Sequence, residues 1–593
     1  MKYSTFHKVN KACPALTILA GLGIWMLQIL LLFATIFTVF GNNTVFVDNR
    51  SNKGSKLSEK AKQSISAGQR IDRRSAAIAL KIPDNFPLGI VSTVPFDDFA
   101  LLKTVTLEIH IAHPNIGDLL VQLECPNGQV VTLHDRSGGV KKNLDAIYRI
   151  TECDNSQAVG NWKLQISDNA PSAAGSLLSW KLHITADKTH EPLFRIGGIK
   201  DWYLIGNAIT PGNDSLNVRI DVNGKVESME AFIDKGPGRQ LTKTVAGFDG
   251  TIDISQLPPG LHTLTLAADG SQAPFAKLHF RRSHPLYVLM TTDWDSSDSE
   301  DSILQLHEKL HTEHPGLKLT HFLGPYTFTD PAVSKVRQTY LVDWLIRLRT
   351  TYQDEIGLHI HPFCNFVNTV PGVPCRFKPS DSYDKGDTTG YNVLSSAYSE
   401  SEYLKLLKAA DNLFTAHGLG KPAAFRTGSW AANAGTLKAL AADGFFADSS
   451  ANNWARIEES QYEDNGMLYK WNRQHWKPIT DISQPYTPSA QNPAIAGNPA
   501  IPILEIPDNG SLVDYVTGDE MIEIFNVNWS GTPLLRPATF VMGFHPVSYS
   551  LGYHRRIEKA LAHIDSFLAS NGEGPVVYET VSRVSSVFKA LPR

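Results

Sequence analysis

The sequence predicts a multidomain chain: an apolar N-terminal helix, two β-sandwich-like modules, and a C-terminal α/β domain on a mainly parallel sheet or barrel. Three observations carry this. Residues 12–47 contain no Asp, Glu, Lys or Arg. Between 83 and 283, short runs of alternating apolar and polar residues are separated by turn signals rich in Gly, Pro and Asn. From about 285 onward, apolar strands alternate with amphipathic helices.

Within the first stretch, Pro14 to Phe40 is almost wholly apolar. A bilayer core of about 30 Å needs about 20 apolar residues in helix, whereas a signal peptide has a shorter apolar region of about 7–15 residues. The reading is a cytoplasmic stub and transmembrane anchor over 1–47, with cleavage near Val39-Phe40-Gly41 as the alternative. Lys2, Lys8 and Lys11 favour an inside N-terminus, and nine Lys and Arg between Arg50 and Lys81 oppose it. A large downstream region translocates largely regardless of such charge, so the rest of the chain is expected to be periplasmic or extracellular. Residues 48–82 are polar and lack apolar periodicity, which suits a flexible linker. The net charge of −4 supplies no basic field for nucleic acid. Cys125 with Cys153, and Cys364 with Cys375, are candidate disulfides in an oxidising compartment; free buried thiols are the alternative.

Residues 83–187 read as a β-sandwich or related barrel. Val105-Thr106-Leu107-Glu108-Ile109-His110-Ile111 alternates, as do Trp162-Lys163-Leu164-Gln165-Ile166 and Trp180-Lys181-Leu182-His183-Ile184. The run Ile116-Gly117-Asp118-Leu119, Pro126-Asn127-Gly128, Gly160-Asn161-Trp162, Ser167-Asp168 and Gly175-Ser176-Leu177 with Trp180 resembles the P domain (P/Homo B domain) of proprotein convertases. That resemblance implies a β jelly roll, which in the family accompanies a subtilisin-like serine endopeptidase. No neighbouring region offers the Asp, His and Ser elements of such a protease, so the domain implies stabilisation, targeting or binding. Asp118 and Asp168 are either calcium ligands or turn residues. Residues 192–283 read as an immunoglobulin-like β-sandwich, with Leu216 to Val222 and Leu261 to Leu266 alternating.

In residues 285–593, four segments end apolar strands with polar residues. Thr291-Thr292-Asp293-Trp294-Asp295 places two carboxylates on one face of extended chain. His359-Ile360-His361 does the same with two imidazoles, a spacing that suits one divalent ion. Phe425-Arg426-Thr427-Gly428 is followed by Asp448-Ser449-Ser450, and Val541-Met542-Gly543-Phe544 delivers His545. A barrel collects such strand-end residues at one mouth. An Asp/His/His set leaves a coordination position open for water, as metal-dependent hydrolysis requires. Ser399-Glu400-Ser401-Glu402 is a capping box opening a helix, and Asn433 caps another that ends near Gly444.

In this order the segments resemble the polysaccharide deacetylase family (carbohydrate esterase family 4), whose fold is a distorted (β/α) barrel. The resemblance implies that Asp293 is the catalytic base and that Asp295, His359 and His361 hold a divalent metal, with zinc the expected ion. Arg426 then orients the base, and His545 is the general acid tuned by Asp448. The expected reaction removes N-acetyl or O-acetyl groups from a cell-envelope or extracellular polysaccharide. Two features depart from the family pattern: Trp294 separates the aspartates, and the histidines follow H-x-H rather than H-x-x-x-H, with Phe363 at the later position. Extended loops at about 362–398 and 455–500 would accompany such a divergence. The rival readings are a catalytically silent carbohydrate-binding relative and a protease-associated protein. Trp294, Trp430 and Trp454 are candidates for stacking on sugar rings or for core packing.

Overall fold

A strand that alternates apolar and polar residues buries one face, and the first module is built from such strands. The burial along Leu101–Ala112 alternates, with Val105, Leu107, Ile109 and Ile111 inward. The computed structural model describes residues 69–74, 80–97, 99–153, 157–171, 173–187, 193–271, 274–378, 380–383, 386–457 and 467–591. In the first module two antiparallel sheets face each other. One runs Gln69–Arg74, Gly175–Asp187, Leu101–Ala112, Leu144–Ile150, with Leu80–Ile82 beside Gly175–Asp187. The other runs Phe86–Phe96, Gly160–Asp168, Leu119–Glu124, Val130–Asp135. Trp162 and Trp180 are fully buried between them; their indole N–H groups donate to Ala158 O at 3.1 Å and Ser92 Oγ at 2.9 Å. Cys125 and Cys153 are disulfide-bonded, with Cα atoms 6.5 Å apart.

The expected linker over 48–82 needs correcting at its C-terminal end. Gln69–Arg74 pairs antiparallel with the Gly175–Asp187 strand, and Leu80–Ile82 pairs with the same strand. Pairing of an edge strand uses backbone groups, so a polar sequence without apolar alternation can still join a sheet. Asp168 is buried at the end of the Gly160–Asp168 strand. Its buried carboxylate pairs with His113 Nε2 at 3.0 Å and accepts from Ala170 N at 3.1 Å. The anchor expected over 1–47 lies outside the described residues. Among the described residues no helix is long and apolar enough to cross a membrane.

The second module is again two sheets. Leu193–Gly197, Ser215–Asn223, Gly247–Asp253 and Thr242–Lys243 form one; Trp202–Leu204, Ala276–Ser283, Gly260–Ala268, Met229–Ile233 and Arg239–Gln240 form the other. Their inward residues, among them Leu216, Val218, Ile220, Leu264, Leu266 and Phe280, share one core.

In the third module every residue of Leu286–Asp293 is buried, as a central strand of a parallel sheet requires. The strand order is Leu504–Glu505, Ala447–Asp448, Ala424–Thr427, Glu355–Ile360, Leu319–Leu323, Leu286–Asp293, Ala538–Phe544, all parallel, with Val576–Tyr578 also beside Leu286–Asp293. The sheet curls, and it differs from a regular barrel at its seam. After Leu504–Glu505 the chain leaves strand geometry. Gly510 N and Val513 N then donate to Val541 O and Gly543 O, both at 2.8 Å. Irregular backbone thus completes the ring where two-residue strands are too short to do so. The capping box is present: Ser399 Oγ accepts from Glu402 N, and the Glu402 carboxylate accepts from Ser399 N, opening helix Glu400–Ala416. Asn433 caps Ala434–Asp443, which ends at Gly444 in the left-handed region.

The modules belong to one compact unit over Gly68–Arg593. Phe86, at the start of a first-module strand, is fully buried in the third module's core, with ring centroids 5.1 Å from Phe567, 5.5 Å from His563 and 6.1 Å from Trp529. From the second module, Trp202 packs on Trp529 at 5.6 Å, and Asn207 Nδ2 donates to the Tyr287 hydroxyl at 2.8 Å. Removing a buried Phe costs about 3–5 kcal/mol. Phe86→Ala is therefore expected to lower the denaturant midpoint of the third module, read by intrinsic tryptophan fluorescence. An unshifted midpoint would show that the first module does not brace the parallel sheet.

Candidate active site

Parallel strands end together, so their C-terminal residues meet at one rim. Asp293 closes Leu286–Asp293, His359 lies near the end of Glu355–Ile360, Arg426 lies in Ala424–Thr427, and Asp448 and Glu505 end their two-residue strands. His545 follows Ala538–Phe544 directly. The fold thus gathers residues that lie up to 252 positions apart between Asp293 and His545.

Asp295, His359 and His361 converge. His359 Nε2 lies 3.0 Å and His361 Nε2 3.2 Å from the same oxygen, Asp295 Oδ1. The ligand atoms of all three lie within 4.8 Å of one another. The opposite ring nitrogens are taken: His359 Nδ1 meets Arg426 O at 2.8 Å, and His361 Nδ1 meets Tyr391 O at 3.0 Å. A carbonyl only accepts, so each Nδ1 carries a proton and each Nε2 is the ring atom turned toward Asp295. Burial opposes ionisation of Asp295, but His545, His361 and His359 outweigh it and hold its carboxyl well below the usual range. Such a donor set suits a divalent cation of the zinc type.

The two departures from the family pattern have local causes. Trp294 turns away from the carboxylates into the core, between His307 and Trp344. Phe363 cannot ligate; its ring packs on Tyr326 at 4.6 Å, while His361, at i+2 from His359, is the residue whose Nε2 faces Asp295. His361 fits only because residue 428 is Gly: a Cβ there would lie 2.7 Å from the imidazole.

Arg426 is fully buried. Its Nη1 donates to Asp293 Oδ1 at 3.0 Å and to Thr291 Oγ1 at 2.9 Å, and lies 3.3 Å from Asp508 Oδ2. Nε and Nη2 donate to Ser449 O and Ser449 Oγ, both at 2.8 Å. Burial would lower its pKa, yet Asp293 and Asp508 raise it, so the guanidinium stays charged. Immediately after, Ser429 and Trp430 adopt positive φ of 56° and 50°. Such strain costs about 1–3 kcal/mol per residue. Asn472 Nδ2 to Ser429 O and Trp476 Nε1 to Trp430 O hold the turn, at 2.9 and 2.8 Å. Trp430 meets His545 edge-on at 6.0 Å. Trp294, Trp430 and Trp454 are all buried, so core packing rather than sugar stacking accounts for them.

Asp448 is not where the sequence reading placed it. Its carboxylate accepts from Ser450 Oγ at 2.7 Å and opposes Glu505 on the next strand. Burial and the adjacent Asp448 push Glu505 well above the usual carboxylate range, and burial raises Asp448 as well. The partner of His545 is Asp514: Nδ1 lies 3.1 Å from Asp514 Oδ2, and Nε2 lies 3.7 Å from Asp295 Oδ2. Burial disfavours imidazolium, but Asp295 and Asp514 prevail and raise His545 to about 10. Asp448 and Asp514 are both acids upstream of His545, and no local pattern distinguishes them; Asp514 wins because the seam segment brings it to the His545 strand. Tyr391 and Asp508 were also missed. Tyr391 comes from an aperiodic loop. Asp508, raised to about 6 chiefly by burial, lies on the irregular seam.

Residues 102–184 match the family model "Proprotein convertase P-domain". Leupeptin-inactivating enzyme 1 of Streptomyces exfoliatus is 38% identical over 79 residues, 13% of this chain and 18% of that protein. The chain therefore spans under a fifth of that relative's length. Among solved structures, a putative polysaccharide deacetylase from Mycobacterium smegmatis is similar at 15% identity, over 52% of this chain and 93% of that one, with a TM-score of 0.31. A family 4 carbohydrate esterase from Streptomyces lividans, in complex with acetate, is similar at 11% identity, over 50% and 95%, with a TM-score of 0.25. Neither structural likeness carries the chemistry, which rests on the side chains of this chain.

Removing one member of a buried ion pair costs about 3–5 kcal/mol, because the charge left behind loses its partner. Arg426→Met is therefore expected to lower the unfolding free energy by that amount at neutral pH, measured by chemical denaturation. A change under about 1 kcal/mol would show that Arg426 does not hold the acids together.

Proposed function

We propose that residues 285–593 are a divalent-metal-dependent hydrolase that removes N-acetyl or O-acetyl groups from a cell-envelope or extracellular polysaccharide. The observation that carries this is the convergence of the Nε2 atoms of His359 and His361 on one oxygen of Asp295, with all three ligand atoms within 4.8 Å of one another. Asp295, His359 and His361 would hold the ion, most simply zinc. A cation there supplies Lewis-acid polarisation of the acyl carbonyl and acidifies water.

Everything else falls to the chain's own groups. Asp293, 1% exposed and held by Arg426, accepts the proton of the attacking water. Arg426 fixes the orientation of Asp293 by donating to its carboxylate. His545 donates its proton to the leaving nitrogen or oxygen, and Asp514 holds the imidazole by Nδ1. Water adds to the acyl carbon, the bond to the sugar nitrogen or oxygen breaks, and acetate leaves with the deacetylated sugar. The apolar segment at 12–47 supports tethering of this domain outside a membrane.

The test is acetate release from N-acetylated and O-acetylated polysaccharides by the zinc-loaded chain. Asp293→Asn is expected to lower the rate by about 100-fold or more, the usual contribution of a general base. Wild-type release from the variant would remove Asp293 from that role.

His545 must be protonated to act, so activity falls as pH rises through its pKa. Asp514→Asn withdraws an anion beside the ring, which moves that alkaline limb to lower pH by about 1–3 units. Asp448→Asn, remote from the ring, is expected to leave the limb in place. The reverse result would restore Asp448 as the tuning acid.

A further inference from the structure

Tyr391 contacts two of the three triad residues. Its hydroxyl donates to Asp295 Oδ2 at 2.8 Å, and its main-chain oxygen accepts from His361 Nδ1 at 3.0 Å. Its ring stacks on the His361 ring, with centroids 4.4 Å apart and planes 17° apart. Tyr391 belongs to the extended segment after His361, not to the sheet.

That segment is tied down on both sides of Tyr391. A disulfide joins Cys364 to Cys375, and Cys364 N donates to Thr389 O at 2.7 Å. The Asp387 carboxylate accepts from Thr389 N at 2.7 Å and from Asn392 N at 2.9 Å, closing a turn around residues 389–392. Gly390 has φ +87°, and a Cβ there would run into the Pro362 carbonyl. Tyr391 is therefore presented in one orientation.

The consequence concerns Asp295. One oxygen, Oδ1, faces both imidazoles, while Oδ2 accepts the phenol proton. An oxygen engaged by a fixed donor is a weaker competitor for a cation, so Asp295 is biased toward binding through Oδ1 alone. His361 lies beyond the end of its strand, and the Tyr391 carbonyl fixes its tautomer. We infer that Tyr391 is a positioning residue that sets the coordination mode of Asp295 and the Nε2-ligating tautomer of His361. The inference rests on reading the triad as a cation site. It also accounts for how an H-x-H pair works here: the support comes from an inserted loop.

The test uses the full chain, zinc affinity by chelator competition, and the visible spectrum of the cobalt-loaded protein. Tyr391→Phe keeps the ring and the main chain and removes only the hydroxyl. It is expected to weaken zinc binding by about 10–100-fold, as loss of a supporting hydrogen bond to a ligand does. The cobalt bands are expected to weaken as Oδ2 becomes free to coordinate. Gly390→Ala, which displaces Tyr391 without altering it, is expected to lower affinity in the same direction and serves if Tyr391→Phe does not fold. Tyr383→Phe, on the same loop and bonded to Ser429 Oγ at 3.1 Å, is expected to match wild type. Wild-type affinity and spectrum in Tyr391→Phe or Gly390→Ala would overturn the role of Tyr391 alone. A wild-type chain that takes up neither zinc nor cobalt would overturn the triad reading, and the role with it.

Discussion

Burying a carboxylate is costly unless a cation, a donor or a proton compensates it, and this site buries several on one rim. Asp293 and Asp508 share the single guanidinium of Arg426. Asp295 is faced by His359, His361 and His545. Asp514 has His545 and Ser548. Asp448 and Glu505 face each other with Arg426 as the nearby cation, and the remaining cost appears as proton uptake, with both carboxyls raised. The arrangement of the seam follows from this balance.

The sequence made the strand-end residues legible because a parallel strand is a long apolar run that stops where function begins. Asp293, Asp295, His359, Arg426 and His545 each follow such a run, so a period-two argument sufficed to place their side chains. The same logic fails for residues outside strands. Asp514 lies on backbone that closes the ring without strand geometry, and its link to His545 depends on where that backbone docks. Tyr391 lies in a segment fixed by a disulfide and an aspartate-centred turn, neither of which has a periodic signature. Asp448 was misplaced for a related reason: it ends a strand, as expected, but its carboxylate meets Ser450 and Glu505, while Asp514 meets His545.

The β modules were readable as sandwiches from alternation, and the P-domain match falls within the first of them. Their relation to the parallel sheet was not readable. Phe86 looks like any inward residue of a strand, yet it packs in the core of the third module. Gly531, at φ +87°, admits Leu88 from the same strand, since a Cβ there would overlap the Leu88 side chain. Contacts across about 440 positions, from Phe86 to Trp529, leave no trace in local patterning. The module that matches the P-domain model thus packs directly against the parallel-sheet domain through Phe86 and Leu88.

The H-x-H spacing also explains the loop that follows it. With histidines at i and i+2 on extended chain, both imidazoles leave the same face, and no helical turn is needed to bring the second one round. Position 363 is then released from ligation, and Phe363 packs between Tyr326 and Tyr391. The second histidine, however, stands past the end of the strand, where no neighbouring strand supplies a carbonyl to fix its ring. The Arg426 carbonyl does this for His359 because the two residues are directly paired in the sheet. For His361 the carbonyl must come from elsewhere, and Tyr391 provides it.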